Sequence, residues 1–275
     1  MRVYSVIGYP LTYTLSPVIH NYVFKALGKD AIYVPLKVSP GRLKHFIEFA
    51  RDALSGFNVT MPHKVPIVDL LDDTVGAARV LGSVNTVINS DGELIGYNTD
   101  YEAVKQALMN RGYSGEDSLI IGAGGVARAV VLALADLGCG RIYVANRTVS
   151  KAEELCSLAN SLGMDCKALG IGNASIKAWL LINATPLGIS EEFPIDPVRT
   201  GANLILDLAY TVNGDTSLIK LAKRHSIRYI DGLEILVRQA LEADKIWFGP
   251  FEKPTWNEVF SELNKQVQSL GAKHG

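Results

Sequence analysis

At 275 residues the chain is longer than a typical single domain, and its 48% hydrophobic and 20% charged content predicts a globular fold of one large or two modest α/β domains. A formal net charge of −1 excludes a basic nucleic-acid footprint and a polybasic membrane patch, so an anionic ligand has to be caught by local groups. The three cysteines, Cys139, Cys156 and Cys166, are odd in number and have no C-x-x-C spacing; they predict buried thiols in a reducing compartment, without a disulfide framework or a metal site.

The run from Met1 to Pro10 carries one Arg and a short apolar stretch, which reads as a first strand and not as a targeting signal. No segment reaches the ~18 apolar residues of a membrane span. The expectation is a cytoplasmic protein, monomer or homodimer, with a small-molecule substrate and no nucleic-acid or membrane partner. Val3–Gly8 is the first strand, and Ser16 stands as an N-cap before Pro17, opening a helix to about Leu27. Ala31–Val38 alternates like a strand, Pro40–Leu54 is helical, and Phe57–Met61 is a strand stopped at Pro62. Val84–Asn89 and Glu93–Tyr97 flank Ser90-Asp91-Gly92, a hairpin signal, and Tyr101–Arg111 reads as a helix.

A second pattern begins there. Ser118–Ile121 is a buried strand, Val126–Gly138 a helix, Arg141–Ala145 a strand and Lys151–Ser161 a helix. Trp179–Asn183, Asn203–Asp207 and Arg228–Ile230 are short apolar strands, and the chain is largely helical from Leu233 onward. Strands alternating with helices predict parallel βαβ units. The fold class is therefore α/β: an N-terminal α/β domain over residues 1–102 plus 237–275, and a Rossmann-type parallel-sheet domain over residues 103–236. The C-terminal helices return to the first domain.

Gly122-Ala123-Gly124-Gly125-Val126-Ala127 lies between an apolar strand and a long helix. Gly122 permits the tight turn, Gly124 lets backbone approach a pyrophosphate, and Ala127 allows close helix–sheet packing. The helix N-terminus offers N–H groups and a positive dipole end to phosphates. The next strand ends in Asn146-Arg147-Thr148, followed by Lys151, with no carboxylate to accept the ribose 2′-hydroxyl of NAD. Arg147 can pair with a 2′-phosphate instead, which predicts NADP as the cofactor.

Three polar clusters of the first domain follow strands. They are Gly8 through Pro17, Asn58-Val59-Thr60-Met61-Pro62-His63-Lys64, and Ser83-Val84-Asn85-Thr86 with Asn98-Thr99-Asp100. In an extended segment Thr14 and Ser16 point the same way, two hydroxyls able to donate to a carboxylate. With Gly-Ala-Gly-Gly, Asn-Arg-Thr, Asn183-Ala184-Thr185, Asp207-Leu208-Ala209-Tyr210, Asp231-Gly232 and Leu236-Val237-Arg238-Gln239-Ala240, the chain resembles the shikimate dehydrogenase family nearly end to end.

The resemblance implies a two-domain enzyme that reduces 3-dehydroshikimate to shikimate with NADPH, in aromatic amino-acid biosynthesis. Residues 1–102 plus 237–275 then form the substrate-binding catalytic domain, and residues 103–236 the NADP-binding domain. Lys64 and Asp100 are the implied catalytic pair, spaced across the cleft between the domains. Thr14 and Ser16 hold the substrate carboxylate, with Tyr210 nearby, and Thr60, Asn85, Asp100 and Gln239 bond the ring hydroxyls. Gly122, Ala123, Gly124, Gly125 and Val126 bind the cofactor together with Asn146, Arg147, Thr148 and Lys151. Thr185 joins the cofactor set, and Leu208 and Gly232 lie against the nicotinamide.

Hydride transfer to a ketone builds negative charge on oxygen, so a cation or proton donor is needed there, and Lys64 supplies it. His63 reads as a bystander, because adjacent side chains of an extended segment point apart. Thr14 replaces the family's usual Ser, Tyr13 a frequent His, Ile235 a frequent Met, and Pro186 follows Thr185 where Ser is common. The Thr14 methyl leaves a quinate/shikimate dehydrogenase of dual specificity as an alternative. A non-catalytic metabolite-binding regulator is the other, against which the intact Lys64 and Asp100 stand.

Overall fold

The structure, a computed structural model, describes residues 1–12, 14–173, 176–211 and 214–274; Tyr13, one of the departures from the family pattern, lies outside the described residues. The chain divides into two compact units, Met1–Glu102 with Leu236–Ser269, and Ala103–Ile235 with the chain end from Leu270.

The first unit opens with β1 (Arg2–Gly8), α1 (Ser16–Ala26), β2 (Ala31–Lys37), α2 (Leu43–Ala53) and β3 (Gly56–Val59). Then come β4 (Asp73–Thr74), α3 (Ala77–Leu81), β5 (Thr86–Ser90), β6 (Glu93–Tyr97) and α4 (Thr99–Asn110), whose first turn belongs to this unit. The strands form one six-stranded sheet in the order β2-β1-β3-β5-β6-β4. β1 pairs in parallel with β2 and β3, while β3–β5 and β5–β6 are antiparallel. The expected hairpin is β5–β6, closed by Asp91 and Gly92 with φ of 52° and 93°. Positive φ at both central residues matches the right-handed twist of the flanking strands. Side chains alternate across β1, so Tyr4 and Val6 share one face and Val3 and Ile7 the other. Ile7 packs with Phe46, Ile47 and Phe57, and Tyr4 and Val6 pack with Phe24, Tyr33 and Trp247.

Two expectations are corrected here. Ser16 is the first residue of α1 and not its cap. The preceding Leu15 already has helical dihedrals (φ −92°, ψ −6°), and the Thr14 hydroxyl accepts the Ser16 N–H at 3.2 Å. The segment is thus not extended through Leu15, as the two-residue alternation requires. In the predicted helix Pro40–Leu54, a tighter turn at Pro40–Arg42 precedes α2.

The second unit continues with β7 (Ser118–Ile121), α5 (Gly125–Asp136), β8 (Arg141–Asn146), α6 (Val149–Ser161) and β9 (Asp165–Gly170). It goes on through β10 (Leu180–Asn183), α7 (Pro197–Thr200), β11 (Leu204–Asp207), α8 (Ser217–Arg224) and β12 (Arg228–Ile230). The sheet order is β12-β11-β10-β7-β8-β9, and every pairing is parallel. β7, β10 and β11 are buried at every position, as central strands covered on both faces must be. Leu119, Leu181 and Ile205 pack with Leu218 and Ala222 of α8. Then α9 (Gly232–Phe248) and α10 (Trp256–His274) follow, and most of both belongs to the first unit.

The expected absence of disulfides is overturned. Cys156 on α6 and Cys166 on β9 are bonded, with Cα atoms 5.1 Å apart, and only Cys139 is a free, buried thiol. The cause is the short return after α6: Gly163, at φ 85°, reverses the chain. The Cys166 N–H then bonds Asn160 Oδ1 of the last helical turn at 3.2 Å. Counting cysteines cannot see that a strand folds back on the helix before it.

Candidate active site

Lys64 sits in the loop after β3, and its carbonyl accepts the Val84 N–H at 2.8 Å. Its ammonium meets Asp100 Oδ2 at 2.5 Å, with 16% and 8% of the two side chains exposed. Asp100 lies in the first turn of α4, where a carboxylate also faces the positive end of the helix dipole. The pair is therefore in direct contact within the first unit, a correction to the expectation that the two are spaced across a cleft. The loop of Lys64 and the start of α4 are both tied to the Val84-Asn85 segment just before β5, which brings their side chains together.

Asn85 joins the pair. Its Nδ2 donates to Asp100 Oδ1 and Thr99 Oγ1, each at 2.9 Å, and lies 3.5 Å from Gln239 Oε1. Gln239 is held in turn by its bond to the Leu236 carbonyl at 2.8 Å. Lys64, Asn85, Asp100 and Gln239 are thus brought together. Thr60 sits at the end of β3, its N–H on the Ile7 carbonyl at 2.8 Å and its methyl against Gly8. Thr14 and Ser16 are joined to each other, and Tyr210 belongs to the other unit. His63 is fully buried and its Nε2 meets the Val38 carbonyl at 2.7 Å, so it anchors the loop that carries Lys64.

In the second unit Gly122 has φ +107°, a conformation side chains rarely adopt, and an added Cβ would lie 2.9 Å from the Ala184 carbonyl and 2.6 Å from Thr185 Cγ2. Gly124 is the residue before α5, has no side-chain cap, and would carry a Cβ into open space. The first N–H groups of α5, at Gly125 and Val126, have no partner within the helix. Ala123 completes the turn. After β8, Asn146 Nδ2 donates to the Thr148 carbonyl at 2.8 Å, and Lys151 N–H bonds the same carbonyl at 3.2 Å. Arg147 is exposed and, among the described residues, makes no hydrogen bond or ion pair. Gly232 packs its Cα on the Leu208 and Ala209 carbonyls, so Leu208 and Gly232 are neighbours.

One carboxylate organises the loops of this end. Asp207 accepts from Asn183 Nδ2 at 2.9 Å, the Ala209 N–H at 3.1 Å and the Thr216 hydroxyl at 2.5 Å. Asn183 Oδ1 accepts the Thr185 hydroxyl at 2.6 Å. Burial pushes the Asp207 carboxyl up to about 6, against those three hydrogen bonds and with a smaller push from Asp231. No described helix is long and apolar enough to cross a membrane, and no group of metal-ligating side chains is found among the described residues.

Two family profiles match the chain: the shikimate dehydrogenase substrate binding domain over residues 6–87, and shikimate / quinate 5-dehydrogenase over residues 103–175. A protein of Caldivirga maquilingensis named shikimate dehydrogenase (NADP(+)) is 57% identical over 263 residues, 96% of this chain and 98% of that one. The chain belongs to the shikimate dehydrogenase family. A relative of the same name from Saccharolobus solfataricus is 39% identical over 90% of this chain and 89% of its own. The fold is similar to that of a shikimate 5-dehydrogenase from Thermus thermophilus, solved with NADP(H) and shikimate. There the TM-score is 0.85 at 28% identity, covering 97% of this chain and all of that one.

Several buried polar residues of the first unit stand outside the set implied by the shikimate dehydrogenase motifs. Asn58 and Thr86 stand inside motifs already singled out, and that adjacency is the available signal. Tyr33 gives none, because the partner of its hydroxyl, Asn58, lies 25 positions away. His20 and Asp244, fully buried and 2.7 Å apart, sit on apolar helix faces where a polar residue gives no pattern of its own.

Proposed function

We propose that the chain interconverts 3-dehydroshikimate and shikimate with NADP(H), with Lys64 and Asp100 as the reacting pair. The observation that carries this reading is the ion pair at 2.5 Å, largely screened from water and set in the family's motif positions. Bound NADPH supplies the hydride. Lys64 supplies the matching proton, or positive charge, to the ketone oxygen as it becomes an alkoxide. Asp100 holds the ammonium at one carboxylate oxygen, so its direction is set before substrate arrives.

The residues of the second unit fit the cofactor. The bare Gly124 and the free N–H groups of α5 suit a pyrophosphate, and Arg147 and Lys151 offer cations where a 2′-phosphate ends. Asn146 and Thr148 shape that loop, and Thr185, Leu208 and Gly232 line the nicotinamide end. In the substrate set, Thr14 Oγ1 already accepts from Ser16 N–H, so its own proton is left to donate. That suits a carboxylate clamp of Thr14 and Ser16 with Tyr210, while Thr60, Asn85, Asp100 and Gln239 bond the ring hydroxyls. Residues 1–102 with the C-terminal helices form the substrate domain and residues 103–236 the NADP domain of a cytoplasmic enzyme.

The extra methyl of Thr14 at the carboxylate end favours a second reading, use of quinate beside shikimate. One assay tests both: formation of reduced nicotinamide, by absorbance, with shikimate or quinate and NADP or NAD. Turnover of shikimate with NADP is the expected result, and no turnover with any pair overturns the proposal.

A further inference from the structure

The reacting pair is the end of a longer buried series of hydrogen bonds. Tyr33 of β2 donates its hydroxyl to Asn58 Oδ1 at 2.6 Å. Asn58 Nδ2 donates to Thr86 Oγ1 at 2.9 Å and to the Asn85 carbonyl at 3.1 Å. Thr86 donates to Asn85 Oδ1 at 3.1 Å, and Asn85 Nδ2 to Asp100 Oδ1 at 2.9 Å. The other oxygen of Asp100 takes the Lys64 ammonium. From Tyr33 to Asp100 every member is buried.

Two backbone groups fix the direction of the series. The Asn85 carbonyl can only accept, so Asn58 turns its NH₂ toward it and its Oδ1 toward Tyr33. The Thr99 N–H can only donate, and it reaches Asn85 Oδ1 at 2.7 Å, so Asn85 turns its NH₂ toward Asp100. Thr86 then accepts from Asn58 and has one proton left for Asn85. Every donor points toward the carboxylate, and bonds arranged this way polarise one another by about 10–30% each.

We propose that Tyr33 and Thr86 are positioning residues for the reaction: through Asn58 and Asn85 they hold the Asp100 carboxylate in the orientation that binds Lys64. The inference rests on the reading of Lys64 and Asp100 as the reacting pair. Neither new residue bonds either member of that pair. The Tyr33 ring stacks on His20 with centroids 4.2 Å apart, and His20 is pinned by Asp244, so packing far from Lys64 sets the head of the series. If the Asn85 bond weakens, the carboxylate is free to turn and the ammonium turns with it.

Thr86→Val keeps the shape and removes the hydroxyl, Thr86→Ser keeps the hydroxyl, and Tyr33→Phe removes only the head. Steady-state kinetics with shikimate and NADP, with a melting curve for each variant, provide the test. Thr86→Val should lower kcat about tenfold and leave both Michaelis constants within about twofold, because orientation and not binding is lost. Thr86→Ser should recover kcat to within about twofold, and Tyr33→Phe should lose less than Thr86→Val. The double variant Tyr33→Phe/Thr86→Val should be no slower than Thr86→Val alone, since the series is already broken. Equal kcat for Thr86→Val and Thr86→Ser, or losses that multiply in the double variant, would overturn the proposal. Should Thr86→Val not fold, Tyr33→Phe decides, and wild-type kcat there overturns it. Lys64→Ala keeps the two readings apart: wild-type turnover there removes the reacting pair itself. An inactive Lys64→Ala beside a fully active Thr86→Val removes only the positioning role.

Discussion

Thirty-six positions of chain separate Lys64 from Asp100, and two bonds to the segment before β5 close that distance. Val84 N–H holds the Lys64 carbonyl, and Asn85 Oδ1 holds the Thr99 N–H at the head of α4. Removing the side chain at one end therefore leaves the frame intact. Lys64→Ala should cut turnover by ~10²–10⁴-fold, the usual size of a lost acid/base group, with much less effect on substrate affinity. Near-normal turnover would remove Lys64 from the chemistry. Arg147 makes the second prediction at this scale. It is exposed and among the described residues has no partner, so its guanidinium is available to a 2′-phosphate at little cost. A charge-assisted pair of this kind contributes roughly 1.5–3 kcal/mol, or about ten- to a hundredfold in affinity. Titration of Arg147→Ala should show NADP weakened by that factor and NAD barely changed, with the difference shrinking as salt rises. Equal weakening of both cofactors would make Arg147 a stacking or surface residue only.

Among elements, α6 and β9 show most plainly what sequence pattern conveys. β9 is the edge of its sheet, held on one side by β8 and fastened to α6 by Cys156–Cys166. Closing a loop of this length restricts the unfolded chain by about 2–3 kcal/mol. Paired serines at Cys156 and Cys166 should therefore lower the melting temperature by several degrees, as should reductant on the native sequence, and reductant should not affect the serine variant further. An unchanged melting curve would mean that the bond constrains nothing. β9 escapes a sequence reading because its positions are half-buried or exposed, so Asp165–Gly170 shows no apolar alternation. β4 is only two residues long, too short for any alternation to show. α8 is legible in principle: Thr216 caps it by accepting the Ile219 N–H, and Leu218, Ile219 and Ala222 make its buried stripe. By contrast β7 is read to the residue, since an apolar run bounded by polar turns is the whole signal of a buried parallel strand. The site divides the same way. Lys64, Asn85 and Asp100 stand in contiguous motifs, whereas Tyr33 enters through a side-chain bond that only the folded sheet creates.

For the molecule as a whole, the pH dependence of stability has a named contributor in Asp207. Its folded value of about 6 lies above the ordinary aspartate value, so the folded state binds a proton that the unfolded chain releases. The linked stability is fully present below about pH 4 and is lost as pH rises through about 6, a change of about 3 kcal/mol at most. Asp207→Asn cannot ionise, and its amide can still accept from Ala209 and Asn183 while donating to Thr216. Denaturant midpoints of the variant should thus lose this part of the slope between about pH 4 and pH 6. A slope identical to the wild type would assign it to other groups. The disulfide has a consequence of a different kind, in the arithmetic of thiols. A sulfhydryl reagent should find no reactive group on the native protein, because two sulfurs are bonded and Cys139 is buried. Unfolding without reductant should release one equivalent and unfolding with it three, so a simple colour titration reads out covalent state and fold together.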